Sequence, residues 1–286
     1  MPSPRLLSGL SEIASQYDAL LCDAWGVIHN GREVFDGVAE ALIRFRQERG
    51  PVIILTNAPR LSSVIPAQLD RLGLPREAYD GVVTSGDATR QSVIDHGHLD
   101  FYKIGPAKDD TFFQSTDVRL VPFAEAGAIL CTGPEDDERE TPEDYRGLLE
   151  EAAARELPMI CANPDKVVRF GDRLIYCAGA IADLYETLGG QVVMSGKPHP
   201  PIYAVARDAL RQAAGREAAR LLAVGDGLHT DILGANREGI DVIFNVGGVS
   251  LEEGRGPTGD LDAGRLRRRL DEEGLVAQYA TDSLKW

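Results

Sequence analysis

The sequence lacks any apolar run approaching the roughly 20 residues that a helix needs to cross a bilayer. Its opening stretch, MPSPRLLSGLSEIASQ, lacks the long apolar core of a secretory signal. The expectation is a cytoplasmic protein with no membrane partner. Basic residues are in deficit: 30 Lys and Arg stand against 45 Asp and Glu, a formal net charge of −15. A surplus of that sign repels a phosphate backbone, so no nucleic-acid partner is expected. Cysteine is scarce, and Cys22, Cys131, Cys161 and Cys177 each lie in or beside an apolar run with no CxxC spacing. That excludes a site of closely paired zinc ligands and predicts buried, reduced thiols. No internal repeat or low-complexity tract stands out.

What is present is a chain of 286 residues, 43% hydrophobic, long enough for one large domain or two moderate ones. Short apolar runs, many of them β-branched, alternate with segments of helical character, the pattern of a parallel sheet covered by helices. The predicted core strands are 19–22, 52–55, 82–84, 192–194, 221–224 and 242–244. Predicted helices over 37–49 and 201–214 end near Gly50 and Gly215, a common helix-terminating signal. The stretch from about 85 to 191 has its own alternation of strands and helices, and at about a hundred residues it can form a second α/β domain inserted into the first. The tail from Glu252 is highly charged and reads as surface structure, with Leu261, Leu266 and Leu270 spaced for an amphipathic helix.

Four separated pieces, each at the end of an apolar run, carry residue types that phosphoryl transfer needs. In Leu20-Leu21-Cys22-Asp23-Ala24-Trp25-Gly26-Val27, a carboxylate follows a buried strand and a glycine permits a tight turn. Asp23 is placed to attack phosphorus and split one displacement into two easier ones; a strand-end Asp capping a turn is the ordinary alternative. In Val52-Ile53-Ile54-Leu55-Thr56-Asn57, a hydroxyl and the following backbone N–H groups can hold phosphate oxygens, or simply make a turn. Met194-Ser195-Gly196-Lys197-Pro198 delivers a lysine able to neutralise charge on the nucleophile and the transferring group. After Leu221-Leu222-Ala223-Val224-Gly225 come Asp226 and Asp231, hard oxygen ligands of the kind magnesium prefers. Each piece alone has a bland reading; their joint occurrence is the signal.

In this order, the nucleophilic Asp, Thr-Asn, Lys-Pro and Gly-Asp-(four residues)-Asp resemble the four motifs of the haloacid dehalogenase superfamily. The long insertion between the second and third motifs resembles the α/β cap of its class IIA branch, which includes nitrophenyl-phosphatase-like and pyridoxal-phosphate-phosphatase-like enzymes. Asn163-Pro164-Asp165 resembles the Asn-Pro-Asp signature of that cap, and Thr84-Ser85-Gly86 the segment leading into it. The resemblance implies a doubly wound, Rossmann-like parallel core over 1–84 and 192–286 with an α/β cap over 85–191. It implies a Mg2+-dependent phosphatase acting on a small phosphorylated metabolite through an aspartyl-phosphate. Asp23 would be nucleophile and metal ligand, Thr56 and the Asn57 backbone would bind phosphate, and Lys197 would be the electrostatic clamp. Asp226 and the backbone carbonyl of Trp25 would complete the metal site, with Asp231 orienting the metal or Lys197 from beside it. Relatives with this cap often associate through it, so a homodimer is a further expectation.

Other residues carry open alternatives. Arg60 is either a fork for a substrate anion or a surface arginine. Asn163 and Asp165 either reach over the core on cap closure or shape a turn. His199 receives no role. The departure that matters is Trp25, because most phosphatases of this superfamily have a second aspartate there to protonate the leaving oxygen. An indole cannot do acid–base chemistry near neutral pH, and that assistance is worth roughly 10²–10⁴-fold in rate. Three accounts follow: a substrate with a good leaving group, an acid supplied by His29 or Asp165, or a noncatalytic module that binds phosphometabolites on a retained fold. Metal-independent carbon–halogen cleavage fits poorly with the Asp226 and Asp231 pair.

Overall fold

Seven strands build the larger sheet of the computed structural model, which describes residues 3–113, 117–170, 173–248, 254–256 and 259–286. They are β1 (Arg5–Leu6), β2 (Ala19–Cys22), β3 (Val52–Thr56) and β4 (Gly81–Thr84), then β11 (Leu221–Gly225), β12 (Asp241–Asn245) and β13 (Tyr279–Thr281). All pair in parallel, in the order β1-β13-β12-β11-β2-β3-β4. Side chains leave the strands alternately for two apolar layers. Leu20, Cys22, Val52, Ile54, Leu222 and Val224 enter one; Ala19, Leu21, Ile53, Leu55, Ala223 and Phe244 enter the other. A strand buried on both faces has no polar side, which is why these segments read as continuous apolar runs.

Helices cover both layers. α1 (Val38–Glu48) and α2 (Ile65–Leu72) bury Leu42, Phe45 and Leu69 on the first. α6 (Pro200–Ala214), α7 (Leu233–Glu238) and α8 (Ala263–Glu272) bury Ile202, Ala235 and Leu266 on the second. Gly215 ends α6 with φ at +68° as the sequence suggests, but Gly50 does not cap α1, which already ends at Arg49 with φ −124°. Gly50 is needed instead because any Cβ there would overlap the carbonyl oxygen of Asp18.

Between β4 and β11 runs a second layered unit. Four parallel strands, β5 (Phe101–Ile104), β6 (Ala128–Cys131), β7 (Met159–Cys161) and β10 (Val192–Met194), pair in the order β10-β7-β6-β5. An antiparallel pair, β8 (Val167–Phe170) and β9 (Arg173–Tyr176), forms a separate two-stranded sheet. α4 (Arg146–Ala154) and α5 (Ala178–Thr187) bury Leu149 and Ile181 against this smaller sheet. α3 (Ser85–Asp95) bridges the two units, placing Ala88 in the larger apolar layer and Val93 in the smaller one.

Two expectations are corrected. Val192–Met194 is not a strand of the larger sheet: it pairs with β7, and the chain crosses back only after Met194. A three-residue apolar run does not encode which of two sheets it joins, and here it closes a β-α-β unit with β7 and α5. The charged tail is likewise more than surface covering. Glu252 itself lies outside the described residues, but Leu266 and Leu270 are buried and β13 is an inner strand. All four cysteines are buried and unpaired, and no described helix is long and apolar enough to cross a membrane.

Because Leu266 is fully buried between α8 and the sheet, Leu266→Ala should lower unfolding stability by about 2–5 kcal/mol. A chemical denaturation midpoint checks this, and a change below about 0.5 kcal/mol would place the tail outside the core.

Candidate active site

The strand order reverses at the β2–β11 pair: the chain steps outward from β2 through β3 to β4, while β11 lies on its other side. Crevices at such switch points are where open α/β sheets bind ligands. Asp23 leaves β2 there, its N–H donating to the Val224 carbonyl at 2.9 Å. Asp226 leaves β11 beside it. Asp231 follows in a single widened helical turn, Leu228–Ile232. One carboxylate oxygen from each of these three buried residues lies within 4.8 Å of the others.

Lys197 arrives from the far end of the intervening unit and places its ammonium between two of them. Nζ donates to Asp23 Oδ1 and to Asp231 Oδ1, both at 2.6 Å. Asp231 Oδ2 accepts the Gly227 N–H at 3.1 Å, so both its oxygens are held. Burial alone would drive the lysine to lose its proton, but the facing carboxylates hold it well above the ordinary lysine value. Burial, followed by repulsion from Asp231 and Asp226, pushes the Asp23 carboxyl up against the pull of Lys197.

Three carboxylates against one ammonium leave this pocket short of positive charge, and a divalent cation would supply it. The surroundings fit such an ion. Gly26, at φ +88°, and Gly248 both press on Asp226 Oδ2 so closely that any Cβ would overlap it. The Trp25–Gly26 backbone therefore lies directly against the acidic cluster. Asn245, at the end of β12, donates Nδ2 to the Gly26 carbonyl at 2.8 Å. A carbonyl only accepts, so the amide oxygen of Asn245 is turned the other way, and it is buried without a partner. An orphaned acceptor at this corner suits a hydrated cation.

Thr56 ends β3 and is buried, its Oγ1 accepting the Ala58 N–H at 3.2 Å. The side chain of Asn57 does something the sequence did not suggest. Its Oδ1 accepts the Lys197 N–H at 2.8 Å, while its Nδ2 donates to the Lys197 carbonyl at 3.1 Å and to Asp165 Oδ1 at 2.9 Å. One amide thus fixes the lysine backbone and ties it to the inserted unit. Asn163 Oδ1 accepts the Asp165 N–H at 3.0 Å, so the Asn-Pro-Asp segment forms a turn and also presents Asp165 to the site.

A cleft of about 410 Å³ opens over this floor, lined among others by Trp25, Thr56, Arg60, Asp165 and Phe170. Arg60 donates to Gln68 at 2.5 Å and stands 3.9 Å from buried Asp109, at the cleft wall rather than on the outer surface. Trp25 faces the inserted unit. Its Nε1–H donates to the Arg169 carbonyl at 2.7 Å, and its ring lies 6.1 Å from that of Phe170, across on β8. His29 is 3% exposed, meets Trp25 edge-on at 5.2 Å, and accepts the Gly31 N–H on Nδ1 at 3.1 Å. His199 precedes α6 and is half-buried. Asn57 was expected to act through its backbone, not its side chain; Asn245 was not singled out at all, and its place at the end of an apolar strand was the one signal available for it.

Comparison with known proteins agrees with this picture. Residues 20–119 match the family described as haloacid dehalogenase-like hydrolase, and residues 194–259 match a HAD-hydrolase-like family. A crystal structure of a hydrolase of the haloacid dehalogenase-like family from Brucella suis 1330 is 41% identical, with TM-score 0.87 over 98% of this chain and 100% of that one. Rat (Rattus norvegicus) chronophin is 26% identical over 86% of this chain and 82% of its own length. An acid sugar phosphatase of Staphylococcus epidermidis is 27% identical, over 83% and 89%.

Burial lowers the His29 pKa from 6.5 to about 4. The native state keeps this imidazole neutral while the unfolded chain protonates it, so its stabilisation is complete above pH 6.5 and is lost as pH falls toward 4. Relative to His29→Asn, which keeps an acceptor for Gly31, the wild type should lose on the order of 3 kcal/mol across that window. Parallel denaturation curves at pH 7 and pH 4.5 would expose the difference; equal slopes would contradict it.

Proposed function

The chain belongs to the haloacid dehalogenase-like hydrolases, and we propose that it is a magnesium-dependent phosphatase cleaving a small phosphorylated metabolite through an aspartyl-phosphate on Asp23. The observation that carries this reading is the buried Lys197 ammonium shared by Asp23 and Asp231 at 2.6 Å, at the switch point and under the cleft. The similarity to an acid sugar phosphatase supports a small phosphate ester as substrate, and 410 Å³ falls among small-molecule sites, about 300–1,000 Å³.

In this reading Lys197 occupies Asp23 Oδ1 and leaves Oδ2 to attack phosphorus. The ammonium offsets charge on the nucleophile and on the phosphoryl oxygens as it accumulates. Thr56 Oγ1 and the Asn57 backbone N–H hold those oxygens, and Asn57 keeps Lys197 in register. Asp23, Asp226 and the Trp25 carbonyl would hold the magnesium ion, with Asp231 beside it, and the ion would neutralise charge on the transferring group. Residues 85–194 act as the cap, with Trp25, Asn163, Asp165 and Arg60 shaping the cleft and screening the phosphorylated aspartate from bulk solvent. Four unpaired buried thiols suit a reducing cytoplasm. The intact charge network lends no support to a binding module without turnover.

Phosphate release should require magnesium, disappear with a chelator, and fall by roughly 10³-fold or more in Asp23→Asn. A panel of alkyl, aryl and acyl phosphates provides the measurement, and release equal to that of Asp23→Asn from every compound would overturn the reading. Asn245→Ala should weaken magnesium binding by about 10–100-fold, read by calorimetry in the absence of substrate. Unchanged affinity would remove Asn245 from the metal site.

A further inference from the structure

A phosphatase built this way still needs a proton for its leaving oxygen, and position 25 does not supply one. The Trp25 indole has a single N–H, already given to the Arg169 carbonyl. His29 is held neutral by burial, with its pKa at about 4, and almost none of it carries a transferable extra proton near neutrality. The other carboxyls on the cleft have partners of their own: Asp137 pairs with Lys108 at 2.7 Å, Glu138 with Arg173 at 3.5 Å, and Asp109 is buried 3.9 Å from Arg60. Asp165 differs from these because one residue, Asn57, joins it to the lysine that holds the nucleophile.

We propose that Asp165 is the general acid of this enzyme, delivering a proton to the departing oxygen from the cap side of the cleft. The proposal rests on the phosphatase reading and on the junction geometry. Asn57 Oδ1 is committed to the Lys197 N–H, so its Nδ2 must face Asp165 and can only donate. Asp165 Oδ1 is therefore an acceptor, and a proton on this carboxyl resides on Oδ2. Asp165 keeps part of its surface on the cleft and is otherwise enclosed by protein. Burial favours the protonated form and outweighs the pull of Lys197 and of the Asn57 hydrogen bond; Asp231, also in range, acts in the same direction as burial.

Water is the one further reactant the step needs. Asp23 Oδ2 forms a bond to phosphorus while the bond from phosphorus to the ester oxygen breaks. The electron pair of that bond stays with the ester oxygen, which takes the Asp165 Oδ2 proton and leaves as the alcohol. Water then attacks the phosphorus of the aspartyl-phosphate and gives a proton to the Asp165 carboxylate; the bond from phosphorus to Asp23 Oδ2 breaks, its electron pair returns to the Asp23 carboxylate, and inorganic phosphate leaves.

Asp165→Asn preserves an acceptor for Asn57 but has no acidic proton. The measurement is kcat/KM, which is set by steps up to departure of the leaving group, for the best alkyl monoester of the panel and for p-nitrophenyl phosphate, whose leaving group needs no protonation. The substitution should depress the alkyl ester by roughly 10²–10³-fold more than the aryl ester. Taking both substrates on one preparation makes the ratio independent of the folded fraction. Equal losses for the two esters, or no loss for either, would overturn the proposal. A wild type active on p-nitrophenyl phosphate but on no alkyl ester would also overturn it while leaving the phosphatase reading standing. A wild type releasing phosphate from neither ester would overturn it as well, and one releasing phosphate from no compound of the panel, acyl phosphates included, would overturn both.

Discussion

One buried ammonium organises this molecule. Lys197 Nζ lies between Asp23 and Asp231, residues 174 and 34 positions away in the chain, and its pairings hold together elements that the topology only brings near. A buried pair of this kind contributes little net stability, since the desolvation of its partners consumes most of the attraction. Its return is chemical. It keeps two carboxylates and a cation fixed within hydrogen-bond distance, and pre-set charges need no rearrangement at the moment of reaction.

The position of that ammonium depends in turn on Asn57. A lysine side chain has four rotatable bonds and is a poor locator of charge unless its backbone is fixed. Asn57 fixes it from both sides, accepting from its N–H and donating to its carbonyl, and spends its remaining donor on Asp165. The lysine and the Asn-Pro-Asp turn are therefore registered to each other by a single side chain. Trp25 makes a second tie between the units, from the loop of the nucleophile to the Arg169 carbonyl on β8. At this position the chain carries a bridge between the units and no carboxyl.

The net charge of −15 does not conflict with a phosphate-handling site. Much of it is spread over solvated, largely exposed groups, whose fields are screened within about 10 Å at ordinary ionic strength. What the site presents is local: a clustered excess of carboxylate that a divalent ion would reverse, beside one ammonium that does not lose its proton.

Five of the six expected core strands, the motif residues Asp23, Thr56 and Asp226 at the ends of three of them, and the existence of an inserted α/β unit were legible in the sequence because each depends on local pattern: a strand buried on both faces must be apolar throughout, and a residue just beyond it must emerge at the ligand-binding edge. Residues whose role lies in what they touch were not legible. The sheet chosen by Val192–Met194, the incorporation of the charged tail through Leu266, and the close packing that requires Gly50 all depend on partners distant in the chain. The same holds for the Asn57 clamp, the orphaned Asn245 oxygen and the outward reach of Trp25. Sequence by itself determined which chemical groups stand at the strand ends. Only the tertiary structure decided which of them share a proton, a charge or a cavity, because those relations are distances of a few ångströms between residues that no local pattern connects.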